Sequence, residues 1–167
     1  LIEMKFQERR LRLQLLGSGR ALDATYSEDF EPILLNHPRE LIQVHGNVVY
    51  AEDRSPSSIS DVDEILEVDD SAIEVLSISS NDVTIQARRP LSFAVTFDET
   101  SQVYEATGLF GVLIGGLTRP ELETQLDAEL AMLWREYAQA NPEILTNAAK
   151  ELREQLLAAF EEASHAT

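Results

Sequence analysis

The chain has no cysteine among its 167 residues, which excludes disulfide staples and thiolate metal sites. It has three histidines. These are His37, His45 and His165, and no two of them stand at the spacing of a metal-binding pair. Positive charge is the largest scarcity. Thirteen Lys and Arg stand against 30 Asp and Glu, a net charge of −17. Such a surface repels phosphate backbones, so direct nucleic-acid binding is not expected. No apolar run approaches the length that a helical bilayer span needs, and no segment reads as a signal peptide. A cytoplasmic chain with no membrane partner is therefore expected.

Catalytic signatures are missing as well. Gly17-Ser18-Gly19-Arg20 is a turn followed by Ala21-Leu22-Asp23. A phosphate-binding loop would instead lead through a Lys-Ser/Thr pair into a helix. No serine sits in a nucleophile elbow. Residues 61–70 read Asp-Val-Asp-Glu-Ile-Leu-Glu-Val-Asp-Asp. A calcium loop needs ligands at fixed positions and a glycine at the sixth, and neither is present. In so acidic a chain, adjacent carboxylates single out no acid–base pair. The expectation is no catalytic residue, no metal ligand and no cofactor, with an enzyme assembled from distant residues as the minority alternative.

What is present is a foldable chain. Hydrophobic residues make up 44% and charged residues 26%, which is the balance of a globular protein. Ile2 to Phe6 and Leu11 to Leu15 alternate with polar residues, which predicts one long strand or two strands joined by a bulge near Glu8-Arg9. Arg9, Arg10 and Arg12 form a basic cluster, expected to line a solvated edge or to meet the acidic middle of the chain. Ser27-Glu28-Asp29 reads as a helix cap, with a short helix to about Leu35 closed by Pro38. Leu41 to Tyr50 reads as a strand with Ile42, Val44, Val48 and Tyr50 on one face and a bulge or turn at Gly46-Asn47. Arg54 to Ser58 reads as the best loop. Ile73 to Ser79 and Val83 to Ala87 read as strands joined at Ser80-Asn81-Asp82.

Residues 90–137 are the centre of the pattern. Leu91, Phe93, Val95 and Phe97 alternate with polar or small residues, and Val103 to Thr107 can return as the antiparallel partner across 98–102. Gly108 and Gly111 suggest a bend, and Val112-Leu113-Ile114 a third strand ended by Gly115-Gly116. Thr118 and Glu121 form a capping box, with Leu117 and Leu122 placed as a hydrophobic staple. Leu122, Leu126, Leu130, Leu133, Trp134 and Tyr137 then share one helical face, and Asn141-Pro142 ends the helix. Trp134 is expected against the Phe93–Phe97 strand. Thr146 or Asn147 can cap a last helix with a stripe of Ala149, Leu152, Leu156, Ala159 and Phe160, expected to pack on the Trp134 helix.

The run Phe93 to Asp98, then Val103-Tyr104-Glu105-Ala106, Gly115-Gly116-Leu117-Thr118 and Glu121-Leu122-Glu123, resembles the core of HicB-like antitoxins over roughly residues 91–138. It is also similar to uncharacterised prokaryotic proteins that end in a Leu-Trp-Arg-Glu-Tyr-like helix followed by Leu-Thr and a last helix. The resemblance implies a hairpin–strand–helix unit and a protein that neutralises a toxin.

The expected fold is α+β, an antiparallel sheet with two C-terminal helices on one face. The expected segments are a strand-rich lobe at 1–54, an acidic loop and strands continuing the sheet at 55–90, and the hairpin–strand–helix unit with the last helix at 91–167, all in one compact domain. Charge is uneven: residues 27–82 carry two basic and fourteen acidic side chains. Asp61, Asp63, Glu64, Glu67, Asp69 and Asp70 are therefore the candidate partner-binding residues. The expected function is an acidic, non-enzymatic binding protein of antitoxin type that holds a basic protein partner such as a ribonuclease toxin. The alternative is an assembly subunit forming a homo-oligomer through its C-terminal helices.

Overall fold

The computed structural model describes residues 3–16, 18–36, 41–80 and 82–163. The chain divides into two compact units, Leu1–Asp69 and Asp70–Thr167.

The first unit is a five-stranded sheet, with strands β1 (Glu3–Lys5), β2 (Arg10–Gln14), β3 (Ala21–Thr25), β4 (Ile42–Tyr50) and β5 (Pro56–Glu67) in the order β1-β2-β3-β5-β4. Of the two expected arrangements, one long strand or two joined by a bulge near Glu8-Arg9, two strands form, but a tight reversal in place of a bulge makes them a hairpin. Arg9 takes a left-handed φ of 49° and donates its N–H to Phe6 O, so the chain reverses and Met4 comes to lie opposite Leu11. All pairings are antiparallel except β3 with β5. Leu11, Leu13, Leu22, Ala24, Ile59, Val62 and Ile65 meet on one face. A short helix, α1 (Glu31–Asn36), packs Leu34 into the same core. The Ser27 cap forms as expected, with its hydroxyl accepting from Asp29 N. Pro38, expected to close this helix, lies outside the described residues.

The second unit is a sheet built around β7 (Val83–Asp98), sixteen residues long. On one side β7 pairs with β6 (Ile73–Ser80). On its other side β10 (Phe160–Glu162) pairs along the first half and β8 (Val103–Thr107) along the second, with β9 (Leu113–Gly116) outside β8. Every pairing in this unit is antiparallel. Helix α2 (Arg119–Leu133) lies over β6, β8 and β9 and continues as a π-helical turn, Trp134–Ala138. Helix α3 (Asn147–Ala159) packs on that turn and on β7, as the apolar stripe predicts. The core joins Ile78, Ile85, Phe93, Tyr104 and Ala106 of the sheet to Leu122, Leu126, Leu130, Leu156 and Phe160.

The α+β class holds, with ten strands and three α-helices among the described residues. The expected segments do not. The single boundary falls at Asp69/Asp70. Neither position 54/55 nor position 90/91 separates units, because β5 is hydrogen-bonded into the first sheet and β7 runs unbroken through Pro90. Two sheets stand where one was expected. The loop expected at Arg54–Ser58 is shorter, since β5 begins at Pro56, where proline's missing donor is tolerated at a strand's first residue.

Two details at α2 also differ. Thr118 Oγ1 accepts from Glu121 N, and Glu121 Oε2 accepts from Leu117 N at 2.8 Å, so the cap forms. Of the expected staple pair, Leu122 is fully buried, whereas Leu117 is exposed. Trp134 is buried, but beside Phe160, at 6.3 Å and nearly edge-on, and it shares a cleft with Val83, Thr84 and Ile85. The helix rises about 18 Å between Leu122 and Trp134 at 1.5 Å per residue. It therefore carries the indole to the start of β7, away from Phe93–Phe97.

Candidate functional site

β4 and β5 pair regularly from Ile42↔Glu67 to His45↔Glu64, and resume at Asn47↔Ser60. Between these pairs Gly46 alone opposes Asp61, Val62 and Asp63. This is a β-bulge with two extra residues on β5. Asp61 absorbs the kink with a left-handed φ of 49°, a conformation that aspartate adopts more readily than most residues. The Asn47 amide donates to Asp61 Oδ2 at 3.2 Å and fastens the turned residue. Gly46 is required by proximity. A Cβ there would stand 2.9 Å from Ser60 O and 3.0 Å from Val62 Cα.

The bulge resets which side chains face inward. Ile59, Val62 and Ile65 are buried at intervals of three, and Asp61, Asp63, Glu64 and Glu67 are exposed between and after them. β3 meets β5 only at Ser58 and Ile59, so the acidic part of the strand is paired with β4 and not with β3. Asp69 and Asp70 are also exposed, but they lie beyond the strand, at the end of the first unit and the start of the second. The structure thus brings Asp61, Asp63, Glu64 and Glu67 onto one strand and leaves Asp69 and Asp70 off it. Among the described residues no basic side chain lies within ion-pair distance of Asp61, Asp63, Glu64 or Asp70.

Several arginines are engaged elsewhere. Arg9 pairs with Glu28 at 2.5 Å, Arg10 with Glu8 and Arg20 with Asp53. Asp53 accepts from the Ser55 hydroxyl and backbone, and these bonds hold its carboxyl below the ordinary aspartate range. Along β4, Ile42 and Val44 pack against the core of the first unit as expected, whereas Val48 and Tyr50, expected on the same face, are exposed beyond the bulge, as is Val49, and Gln43 is buried.

Sequence reasoning missed a second acidic feature. Glu123 and Asp127 stand one turn apart on α2 and, with Arg119, line a groove whose other wall is residues 72–77, including β6. Arg119 reaches Glu123 at 2.8 Å and Ser71 O at 2.6 Å. Burial, and then the like charge of Glu123, raise the Asp127 carboxyl above its ordinary value. The available signal was the i, i+4 spacing of the two acids. Helix α3, one of the two C-terminal helices expected to carry an oligomer contact, turns Leu156 and Phe160 fully inward and leaves Leu152 and Leu157 half-buried.

Among the described residues, no group of three or more His, Cys, Asp or Glu side chains is placed to hold a metal ion. No described helix is long and apolar enough to cross a membrane. Comparison of the chain with family models, with curated proteins and with solved structures finds no match.

Proposed function

We propose that the chain is an acidic, non-enzymatic binding protein that neutralises a basic protein partner, in the manner of an antitoxin against a ribonuclease. The observation that carries this reading is the β5 bulge. It projects Asp61, Asp63 and Glu64 outward from one kink, with no basic side chain within ion-pair distance among the described residues. Unrelieved like charge on a strand costs stability, and a basic groove would remove that cost on binding. The hairpin, third strand and capped helix of the HicB-like resemblance support the same reading.

Steering by such a surface is long-range, screened over about 8–10 Å near physiological ionic strength. The partner should therefore associate quickly, and more slowly as salt rises. The test is affinity capture from the native host followed by stopped-flow binding at two salt concentrations. Replacing Asp61, Asp63, Glu64 and Glu67 with Asn or Gln should lower the association rate and leave the fold intact. Recovery of no basic partner, or a rate indifferent to both salt and the four substitutions, would reject the reading. An assembly subunit would instead give a stable oligomeric mass without a second protein.

A further inference from the structure

β6 is an edge strand. Among the described residues it pairs only with β7, so its outer row of backbone N–H and C=O groups faces away from the sheet. Such a row is a template for another strand, and proteins usually blunt it with charge, a proline or a covering element. Between Ala72 and Ser77 the strand itself carries one charge, Glu74, and no proline. Its outward side chain Leu76 is 60% exposed. The β7 partner bulges at this point, with pairing passing from Val75↔Leu91 to Ser77↔Gln86. Beside the edge runs the groove whose far wall is Arg119, Glu123 and Asp127 on α2.

An edge strand beside a helix, with a groove between them, is the geometry in which extended peptides bind by strand addition. We propose that the β6–α2 groove takes up an extended segment of a partner protein as an added strand on β6, with Lys or Arg alternating with apolar residues. The alternation follows from the pleat. Side chains of an added strand point alternately to the two faces of the sheet. On the α2 face they meet Glu123, already paired with Arg119, and Asp127, which forms no ion pair among the described residues and so suits a cation. On the opposite face they meet Leu76, which suits an apolar side chain. Asp127 is partly desolvated beside a like charge, so an incoming ammonium or guanidinium relieves a strain already present. A second copy of this chain fits worse. Pairing β6 with its own mate would bring two sets of Glu74, Glu123 and Asp127 together. The basic character of the partner rests on the neutraliser reading, and the strand geometry does not.

The probe is a synthetic peptide of alternating Lys and Val. Three controls accompany it: the Glu-Val counterpart, a scrambled peptide of the same Lys and Val content, and a version N-methylated on the backbone atoms that would face β6. Binding is read by fluorescence anisotropy, and its location by amide hydrogen exchange. The Lys-Val peptide should bind and slow exchange of β6 amides between Ile73 and Ser77, and the three controls should not. Glu123→Gln and Asp127→Asn should each weaken it about two- to fivefold, the worth of a partly exposed ion pair. Equal binding of the scrambled or N-methylated peptide, or protection at β4 or β9 in place of β6, would overturn the proposal. If host capture yields no basic partner while the peptide still protects β6, the neutraliser reading fails and this site stands. If a basic partner is captured but the peptide leaves β6 unprotected, the site fails and the reading stands.

Discussion

Trp134 gives a sharp test of how the second unit is held together. The indole is 3% exposed and meets Phe160 nearly edge-on at 6.3 Å. Phe160 is the residue through which α3 passes into β10, and it also lies 5.9 Å from Phe110. Truncating a buried tryptophan to alanine costs about 3–5 kcal/mol in lost burial and residual cavity. The aromatic contact accounts for about 0.5–1.5 kcal/mol beyond area. The Trp134 Nε1 N–H, however, is buried with no hydrogen-bond partner among the described residues. An unpaired buried donor costs about 1–3 kcal/mol, and the native chain already bears that cost. Trp134→Phe removes the orphaned donor and keeps a ring against Phe160. We therefore expect Trp134→Ala to cost about 3–5 kcal/mol, and Trp134→Phe less than about 1.5 kcal/mol, because relief of the donor offsets lost area. Urea unfolding followed by far-ultraviolet circular dichroism measures both, since the variants lose the sole tryptophan. Two compact units need not unfold together. Native-state hydrogen exchange of β7 and β10 amides therefore assigns the loss to the second unit. Equal costs for Ala and Phe would show that the orphaned donor has no energetic weight. An Ala cost below about 1 kcal/mol would show that the Trp134–Phe160 contact is not part of the core.

Two further outcomes follow from single positions. Gly46→Ala places a Cβ against Ser60 O and Val62 Cα, backbone atoms that cannot move cheaply. It should destabilise the first unit by about 1–3 kcal/mol, read as a lowered urea midpoint, and an unchanged midpoint would mean that the bulge is free to rearrange. Asp127 has a raised folded-state pKa, so its carboxylate opposes folding. The stability from its neutral form is complete below the unfolded-state pKa and is lost as pH rises through the folded-state pKa. Asp127→Asn should therefore be more stable than the native chain at neutral pH, with the gap closing in acid. A gap that is constant or that widens on acidification would refute the assignment.

The second unit was more legible than the first, for a physical reason. Phe93 to Phe97 alternates without interruption and lies in a regular antiparallel ladder, so period two maps onto inside and outside. The Thr118–Glu121 cap is written in adjacent residues and forms as written. The first unit depends on irregularities. Arg9 reverses the chain in a left-handed conformation that arginine does not advertise, so the break expected near Glu8-Arg9 is a hairpin turn and not a bulge within a continuing strand. β3 has five residues and no flanking signal beyond Gly19, and β10 is a three-residue extension that only the ladder to β7 makes visible. Trp134 was readable as buried, and the Phe160 stripe as packing on its helix, but the indole was expected on the Phe93–Phe97 strand, because helix length along the sheet sets where it lands.

The candidate site shows where composition stops being informative. Fourteen acids in residues 27–82 reveal an excess of charge, but any of them could be solvated, paired or turned inward. Placement comes from the pairing of β4 with β5. Gly46-Asn47 signals a bulge in one strand, yet the residues that it displaces lie in the other, and a single sequence does not say which segment pairs there. Once Gly46 opposes Asp61 to Asp63, burial of Val62 forces its neighbours outward, and the acids become a surface. The β6 groove is less legible still, because its recognition groups are backbone amides and any sequence can supply them. The two features would also act at different stages of one encounter. On the proposed reading, exposed carboxylates act at a distance and set how often a basic partner arrives. Strand pairing acts only in contact and sets how long it stays. Salt should therefore slow association through the first feature, while backbone N-methylation of the partner segment should speed dissociation through the second.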